Sequence, residues 1–372
     1  MNLVIISHTK HYHDQGSISA YAPYVKEVNF WADAFEEMTI LAPQADGEDS
    51  GINLAYNHSS ISLLPISNLH FKSPKRFFTS IFRTPCILWS IFKAFISADH
   101  IHLRCPGNIG LLGCIVQICF PKIPKTVKYA GNWDPKAKQP LSYRLQKWIL
   151  SNTFLSKNIK VLVYGQCPNQ SKNILPFFTA SYSEKHCAVK VPVRNWSQPL
   201  RFVFVGTLSE GKRPLYALEL FHRLFEKLNR TMTLEFFGSG PQEENLKKYI
   251  AEYGLNEQVK LLGNIKSEDL IEVYKSTHFL MLPSRSEGWP KAVAEAMFWG
   301  AIPLVTPISC VPWMIDKGER GIKLDLTLKS DCLRIKEALS NPNTLDKMSE
   351  AAADWSRQYT TEKFTKAIKE LF

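Results

Sequence analysis

The stretch that decides the fold is Pro283-Ser284-Arg285-Ser286-Glu287-Gly288-Trp289-Pro290-Lys291-Ala292-Val293-Ala294-Glu295-Ala296-Met297. The residues just before it, 278–282, are apolar and few enough for a buried strand. Residues 292–299 are helix-forming, and Pro290 suits the first turn of a helix. The pattern therefore predicts a strand, a turn that carries Glu287, and a helix that carries Glu295.

Seven residues separate Glu287 from Glu295. The two carboxylates could therefore hold two parts of one polar ligand at the carboxyl end of the strand. The alternative is a glutamate favoured by the positive end of the helix dipole, followed by a solvated glutamate on the helix. The residue pattern alone supports both interpretations equally.

Strand-like and helix-like segments alternate along the chain, a pattern typical of parallel α/β architecture. In the first half, we predict strands at residues 3–7, 38–42, 60–65, 100–104, 126–130 and 161–163, and helices at 24–35, 80–97, 109–120 and 141–150. In the second half, we predict strands at 201–206, 231–237, 259–262, 278–282 and 302–306, and helices at 214–228, 243–253, 267–276 and 290–299.

The length of 372 residues exceeds what a single core usually serves. We expect two doubly wound domains, residues 1–190 and 191–372, divided in the polar, proline-containing segment near residues 181–199. From residue 329 onward the pattern predicts closing helices with polar faces.

The net charge of +11 is unevenly placed. Residues 1–196 hold 21 Lys and Arg against 11 Asp and Glu, whereas residues 197–372 hold 24 against 23. A basic surface in the first half would attract polyanions or anionic lipid headgroups, although solubility charge can also cluster by chance. The apolar segment 80–97, with basic residues within it, is predicted to be either a helix resting on lipid or a buried helix.

The composition also bears on the compartment. No stretch has eighteen uninterrupted apolar residues, and the first residues have the pattern of a strand rather than of a signal peptide. The eight cysteines include no C-x-x-C pair, which indicates reduced thiols and no structural zinc. We expect a cytoplasmic protein without metal or cofactor, with peripheral association to the inner face of the plasma membrane as a variant that the basic charge favours.

A further strand, turn and helix pattern runs through residues 202–214, with Gly206 at the end of the strand and Lys212 before the helix. A diphosphate needs backbone N–H groups that glycine lets it approach, and a cation nearby. A charge-assisted hydrogen bond from Lys212 would contribute roughly 1.5 to 3 kcal/mol. The alternative is that Lys212 and Arg213 are solvated loop charges.

These motifs, taken in order, resemble those of the retaining family-4 glycosyltransferases of the GT-B fold. The resemblance rests on Glu287-x7-Glu295 followed by Gly300-Ala301-Ile302-Pro303-Leu304-Val305-Thr306, and it extends over residues 202–323. It implies two Rossmann-like doubly wound domains that face a central cleft, with the last helix crossing back to the first domain. It also implies that Glu295 binds the ribose of a nucleotide sugar and that Glu287 contacts the donor sugar.

The same resemblance assigns further residues to the donor. Gly238-Ser239-Gly240 is similar to a family turn, and Leu262-Gly263-Asn264-Ile265 matches a turn whose backbone contacts the nucleotide base, which leaves the base unidentified. The implied catalytic residues are Glu287 and Lys212, and the implied donor-binding residues are Gly206, Thr207, Lys212, Arg213, Gly238, Gly240, Asn264, Ile265, Glu287, Gly288, Trp289, Pro290 and Glu295.

Two positions depart from the family pattern. The family has an Arg just after the first glycine, where this chain has Thr207, so Arg213 or Arg285 is the expected substitute. A turn that ends in Glu in the family has Trp313 here, which leaves the donor sugar open.

The first domain is expected to bind the acceptor in loops beyond the carboxyl ends of its strands. The candidate loops are residues 8–21, 104–108 and 130–135, and the candidate residues are Gly16, Arg104, Asn132, Trp133 and Asp134. The Trp133 ring could stack on a sugar or be a core anchor. Asp134 is expected to orient the acceptor, because in retaining transferases of this type the departing diphosphate takes the acceptor proton.

We therefore expect a hexosyltransferase that moves a sugar from a nucleotide-diphosphate donor to a hydroxyl of a glycan or lipid-linked glycan, in surface polysaccharide biosynthesis. An inverting GT-B transferase and a nucleotide-sugar epimerase are the enzymatic alternatives, and a nucleotide-sugar sensor is a non-catalytic one. A nucleic-acid-binding protein would use the basic first half, but no binding motif is recognisable there, so nucleic acid is not an expected partner.

Overall fold

The structure is a computed structural model, and it describes residues 1–14, 16–45, 53–69, 74–135, 137–166, 170–197 and 199–372. The described chain divides into two compact units, residues 1–177 with 365–372, and residues 178–364. This division precedes the boundary predicted after residue 190, because the segment that follows residue 177 packs within the second unit. The ring of Tyr182, for example, lies 4.7 Å from that of Phe298.

The first unit is a parallel sheet with helices and a small antiparallel sheet. Its elements are β1 (Asn2–Ile6), β2 (His11–Asp14), β3 (Ser17–Tyr21), α1 (Ala22–Ala32), β4 (Glu37–Ala42), β5 (Asn53–Ala55), β6 (Ile61–Pro65), α2 (Pro74–Ile96), β7 (His100–Cys105), α3 (Asn108–Val116), β8 (Lys125–Tyr129), α4 (Leu141–Ser151), β9 (Ile159–Tyr164) and β10 (Ile174–Phe177). The parallel strands lie in the order β10-β9-β8-β7-β1-β4-β6. Apolar side chains of β1, β7 and β8 form the core with the buried face of α2.

The interpretation of residues 8–21 as a loop is wrong. β2 and β3 pair as an antiparallel hairpin, and β5 adds a third strand. In β3, Ile18 and Ala20 are buried while Ser17 and Tyr21 are exposed, which is the alternation of a strand with one face packed. Residues 8–21 are mostly polar, so the alternation of a strand was not recognised in the sequence.

The second unit contains a parallel sheet in the order β13-β12-β11-β14-β15-β16. Its elements are α5 (Glu184–Cys187), β11 (Leu200–Val205), α6 (Pro214–Leu228), β12 (Met232–Phe237), α7 (Glu243–Glu252), β13 (Val259–Leu261), α8 (Ser267–Ser276), β14 (Phe279–Leu282), α9 (Lys291–Phe298), β15 (Ile302–Val305), α10 (Val311–Ile315), β16 (Ile322–Lys323), α11 (Leu328–Leu339), α12 (Pro342–Ser356) and the start of α13 (Thr361–Lys369). Residues 365–369 of α13 belong to the first unit. Buried apolar residues fill β11, β14 and β15, as expected for parallel strands covered on both faces.

The prediction of an α/β fold with two Rossmann-like units is confirmed. The last residues of the chain belong to the first unit, where the ring of Phe372 lies 4.9 Å from Phe35 and 4.7 Å from His100. The short strands β2, β3, β5, β10 and β16 were not predicted.

Candidate active site

The order of the second sheet reverses at β11, which has β12 on one side and β14 on the other. In open parallel sheets, ligands bind outside the carboxyl ends of the strands at such a switch point. The loops that leave β11 and β14 there are residues 206–213 and 283–290. The topology therefore places the Lys212 loop and the Glu287 loop side by side.

Direct contacts join these two loops. The Lys212 ammonium donates a hydrogen bond to the Glu287 carboxylate and forms an ion pair with it. The side chain of Glu287 is 9% exposed and that of Lys212 is 29% exposed, so the cation is the more accessible partner. The backbone N–H of Arg285 also donates to the carbonyl of Gly211 at 2.7 Å.

The two arginines expected to replace the family's cation lie on the same loops. The Arg213 guanidinium donates to the carbonyl of Pro283 at 3.2 Å, and burial followed by the charge of Arg285 lowers the Arg213 pKa. Arg285 pairs with Glu210 at 2.9 Å on the surface. Thr207 is exposed. Neither arrangement tests the proposed substitution, which stays a prediction.

Glycine allows the loop after β12 to touch the loop after β11. A Cβ on Gly238, whose φ is +142°, would lie 2.0 Å from the carbonyl oxygen of Gly206, and one on Gly240 would lie 2.6 Å from that of Leu208. A Cβ on Gly206 would meet nothing within 4 Å, so that side of the turn is open. Only glycine permits this backbone approach.

The loop after β13 completes the edge. The N–H of Gly238 donates to the carbonyl of Gly263 at 2.7 Å, and the Asn264 amide donates to the Ser239 hydroxyl at 3.2 Å. Ile265 follows, half-buried. Four loops predicted to contact the donor are thus joined along the carboxyl edge of one sheet.

Glu295 lies on α9, one turn into the helix, and is half-buried. The Ser181 hydroxyl donates to its carboxylate at 2.6 Å, and the Tyr274 hydroxyl donates at 3.3 Å. Burial, together with the Glu295 charge, raises the pKa of Tyr274 well above its usual value, so this phenol stays protonated and donates. Sequence reasoning missed both partners, because nothing in the sequence marks their proximity to Glu295.

The cavity beside Glu295 has a volume of about 10 Å³ and is lined in part by Ser181, Tyr182 and Trp289. Such a volume accommodates about one water molecule. A ribose that reached Glu295 through this cavity would have to displace the Ser181 contact.

The middle of the quoted stretch is held by packing. Trp289 is 7% exposed, and its ring lies 5.6 Å from Tyr359 and 6.1 Å from Trp313. The carbonyl of Gly288 accepts a hydrogen bond from the Cys310 thiol at 3.0 Å, and Pro290 is buried before α9. These residues fix the Glu287 loop, and the structure gives the Trp289 side chain a packing role.

In the first unit, the predicted acceptor residues lie in different surroundings. Arg104 is buried and forms an ion pair with Glu27, with its guanidinium 5.2 Å from the Tyr24 ring. Burial alone would lower the Arg104 pKa, but the charge of Glu27 raises it. This core ion pair accounts for Arg104 without a ligand. Gly16 lies in the β2–β3 turn with a φ of +84°.

Trp133 is 3% exposed and packs edge-on against Tyr129 at 4.7 Å, so its ring is a core anchor and not an open platform for a sugar. Asn132 is also buried, and its side chain accepts the N–H of Asp134 at 2.8 Å. Asp134 is half-buried at the rim of this turn. Of the three candidate residues in this loop, Asp134 is the most exposed.

His8 was predicted only as part of the candidate acceptor loop of residues 8–21 and was not named among the acceptor residues. The order of the first sheet reverses at β1, between β4 and β7, and His8 follows β1. A Cβ on Gly107, in the loop after β7, would lie 3.0 Å from the His8 ring nitrogen. The position after a first strand was the available signal, because that position borders the switch point.

The histidines near the N-terminus do not form a metal site among the residues that the structure describes. The two ring nitrogens of His11 lie 2.8 Å from the carbonyl of Thr9 and 2.7 Å from the hydroxyl of Tyr56. These contacts give the His11 ring a hydrogen-bonding role.

Comparison with known proteins agrees with this geometry. Residues 192–355 match the family model of glycosyl transferases group 1. An uncharacterized glycosyltransferase from Haemophilus influenzae is 28% identical over 169 residues, which cover 44% of this chain and 46% of that protein. The capsular polysaccharide biosynthesis glycosyltransferase CapH of Staphylococcus aureus is 29% identical over 98 residues, 26% of this chain and 27% of that protein. The chain thus spans less than half the length of these relatives.

Solved structures match over the whole chain. Sucrose-phosphate synthase from Thermosynechococcus elongatus superposes with a TM-score of 0.69 at 16% identity, covering 100% of this chain and 98% of that one. Anabaena HepE in complex with UDP and glucose gives a TM-score of 0.69 at 12% identity, covering 99% and 98%. Residues 192–355 are therefore similar to glycosyl transferases group 1, and the chain shares the two-unit α/β fold of these solved structures.

Proposed function

We propose that this protein is a glycosyltransferase that moves a hexosyl group from a nucleotide-diphosphate sugar to a hydroxyl of a glycan or lipid-linked glycan. The observation that carries the proposal is the Lys212–Glu287 pair at the switch point of the second sheet. Open glycine turns and a cation at that edge suit a diphosphate.

The reaction breaks the bond between the sugar's anomeric carbon and the diphosphate oxygen, and forms a bond from that carbon to the acceptor oxygen. Negative charge develops on the departing diphosphate, so Lys212 would stabilise the transition state more than the ground state. Glu287, held by Lys212, would accept a hydrogen bond from a sugar hydroxyl. Glu295 would accept hydrogen bonds from the ribose.

We propose retention of anomeric configuration, as in family 4. In that route the departing diphosphate takes the acceptor proton, and no protein base is needed. Asp134 would then orient the acceptor. No metal is required in this scheme, so a chelator should leave turnover unchanged.

The setting that we propose is the biosynthesis of a surface polysaccharide. Relatives named for this process support it, including CapH and the putative colanic acid biosynthesis glycosyltransferase WcaL of Salmonella typhimurium, which is 29% identical over 143 residues. These short matches support the process and not a particular sugar.

We also propose that the first unit associates with an anionic membrane surface from the cytoplasmic side. Within the described residues, no helix is long and apolar enough to cross a bilayer. Trp148 and Phe154 are 60% and 76% exposed, and the Lys157 ammonium lies 5.2 Å from the Phe154 ring. Exposed aromatic rings beside cations favour the headgroup region of a bilayer.

A panel of nucleotides and nucleotide sugars tests the function. We expect one base and sugar to raise the melting temperature, because a ligand that binds the folded state stabilises it. That donor should then support transfer to an added glycan acceptor, with retention in the product's NMR spectrum. Isomerisation of the donor without transfer would indicate an epimerase, and binding with neither reaction would indicate a sensor.

A further inference from the structure

The first unit contains a cavity of about 470 Å³ between α2 and α3. Its walls are mostly apolar and include Leu69, Ile81, Pro85, Leu111 and Leu112. This volume lies within the range of roughly 300 to 1,000 Å³ that is usual for small-molecule sites. The predicted acceptor residues and the proposed chemistry make no use of it.

The cavity lies near the carboxyl edge of the first sheet. Asn108 and Ser142, which also line it, belong to the first turns of α3 and α4, and Leu69 follows β6. The N–H of Gly107 donates to the Gln146 side chain at 3.3 Å, which ties α4 to the loop after β7. A ligand in the cavity would therefore lie at the same edge of the sheet as the acceptor loops.

Apolar side chains continue from the cavity onto the surface. Ile81 and Phe82 of α2 are 46% and 79% exposed, and Leu141 and Leu145 of α4 are 78% and 42% exposed. On a soluble protein, a large patch of exposed apolar side chains usually marks a binding surface. The lining of the cavity and the exposed side chains beside it are thus mostly apolar, which suits a hydrocarbon chain.

The charges near the rim select the other end of the ligand. Exposed Arg83 and Arg144 lie on α2 and α4, beside the apolar residues. The sequences of residues 80–96, 108–119 and 141–151 contain no Asp or Glu. An anionic group attached to the hydrocarbon would therefore be attracted by these arginines and would not be repelled by carboxylates in these segments.

We propose that this cavity binds the hydrocarbon chain of a lipid-linked acceptor, with the lipid's phosphate at the rim near Arg83 and Arg144. The inference rests on the proposed function, because it gives the lipid-linked acceptor a place in the first unit. The proposal requires one hydrocarbon chain of the acceptor to enter the protein. Contact with the surface of a bilayer does not require this.

A series of alkyl phosphates, from butyl to decyl phosphate, tests the inference. Their dissociation constants would be measured by calorimetry on the whole protein, below the critical micelle concentrations. Affinity should rise about fourfold per added methylene while methylenes still enter the cavity. An affinity that is independent of chain length would overturn the proposal.

Leu111→Trp would fill the cavity from α3, and Thr84→Phe would fill it from α2. In both variants the dependence on chain length should flatten. Ile115→Trp is the matched control, because Ile115 lies on the same helix, is 40% exposed and does not line the cavity. Melting temperatures establish that the variants fold. Equal chain-length dependence in all three variants and the wild type would contradict the proposal.

Two further measurements distinguish lipid binding in the cavity from general membrane contact and from the proposed glycosyltransferase function. Binding to vesicles of phosphatidylglycerol should be the same for Leu111→Trp and the wild type. If Leu111→Trp lost vesicle binding to the same extent as the chain-length dependence, the cavity would serve general membrane contact, and the proposal would be overturned. Chain-length dependence without any sugar transfer would leave the cavity assignment standing and reject the glycosyltransferase. Sugar transfer to glycans, with alkyl phosphate binding that is independent of chain length, would support the glycosyltransferase and reject the cavity assignment.

Discussion

The central strands of the two sheets are buried at most positions, yet they are built from different side chains. In the first unit, β7 carries His100, His102 and Arg104, all buried. In the second unit, β11 and β14 are apolar at almost every position. Burial in a parallel sheet thus does not require apolar residues, provided that most of the polar groups have partners. The Nε2 atom of His102 is buried without a hydrogen-bond partner.

The partners in the first unit are specific. Ring nitrogens of His100 and His102 each lie 2.9 Å from the Thr126 hydroxyl, and Arg104 pairs with Glu27. The stability of this unit therefore depends on protonation states. The second unit depends more on close backbone packing at its glycine turns, which protonation does not affect.

The largest expected difference between the two units is in their loss of stability at low pH. Burial lowers the pKa of His11 to about 4 and that of His100 to about 3, the latter with help from Lys160 and Lys125. Because each folded-state pKa lies below the ordinary value of about 6.5, the stabilisation is complete above pH 6.5 and is lost as the pH falls toward the folded value. At pH 5 each histidine should cost the first unit about 2 kcal/mol.

The second unit has His278, whose pKa burial lowers to about 4, so it should lose less stability than the first unit. Limited proteolysis with mass spectrometry at pH 7.5 and pH 5 would show which unit opens. His100→Gln should reduce the effect and the exposed His13→Gln should not. Earlier cleavage of the second unit would contradict the comparison.

Lys212→Ala should lower kcat about 100- to 1,000-fold with little change in KM for the donor, because the ammonium meets charge that develops on the leaving group. Steady-state kinetics with the donor found in the panel would measure it. Lys247→Ala is the control, since Lys247 lies on α7 in exposed ion pairs with Glu243 and Glu244. Wild-type kinetics in Lys212→Ala would remove this residue from the mechanism.

Gly238→Ala should cost about 3 kcal/mol, because its methyl group would collide with the Gly206 carbonyl and its φ is +142°. Gly254→Ala has positive φ and no close neighbour, so strain alone should cost about 1 kcal/mol. Melting curves with and without donor would compare them. Equal loss in the two variants would show that the close packing of the turns is unimportant.

Glu295→Ala should weaken nucleotide binding about tenfold and leave kcat nearly unchanged. A charge-assisted hydrogen bond contributes about 1.5 kcal/mol at the low end, and the Ser181 contact must first be given up. Calorimetry with the nucleotide would measure it, with the exposed Glu252→Ala as control. A fall in kcat with unchanged affinity would contradict a role at the ribose.

The second unit was the more predictable from sequence. Its apolar strands and amphipathic helices have clear periods, and α6 and α8 begin and end as expected. The stretch around Glu287 and Glu295 predicted its own strand, turn and helix. The ion pair between Lys212 and Glu287 could not be predicted, because the order of strands brings these residues together and sequence does not reveal that order.

The first unit was less predictable for a physical reason. Polar residues in the β2–β3 hairpin resembled a loop, and Arg104 and Trp133 resembled ligand-binding residues although they belong to the core. A polar side chain at the carboxyl end of a strand serves a ligand or the core, and only its burial distinguishes the two.

Hydrogen exchange by mass spectrometry, with and without the nucleotide diphosphate that the panel selects, would show whether the four loops of the second unit bind the donor. We expect binding to protect residues 206–213, 238–240, 262–265 and 283–290. Protection confined to the first unit, or no protection of these four loops at a saturating concentration, would contradict this expectation.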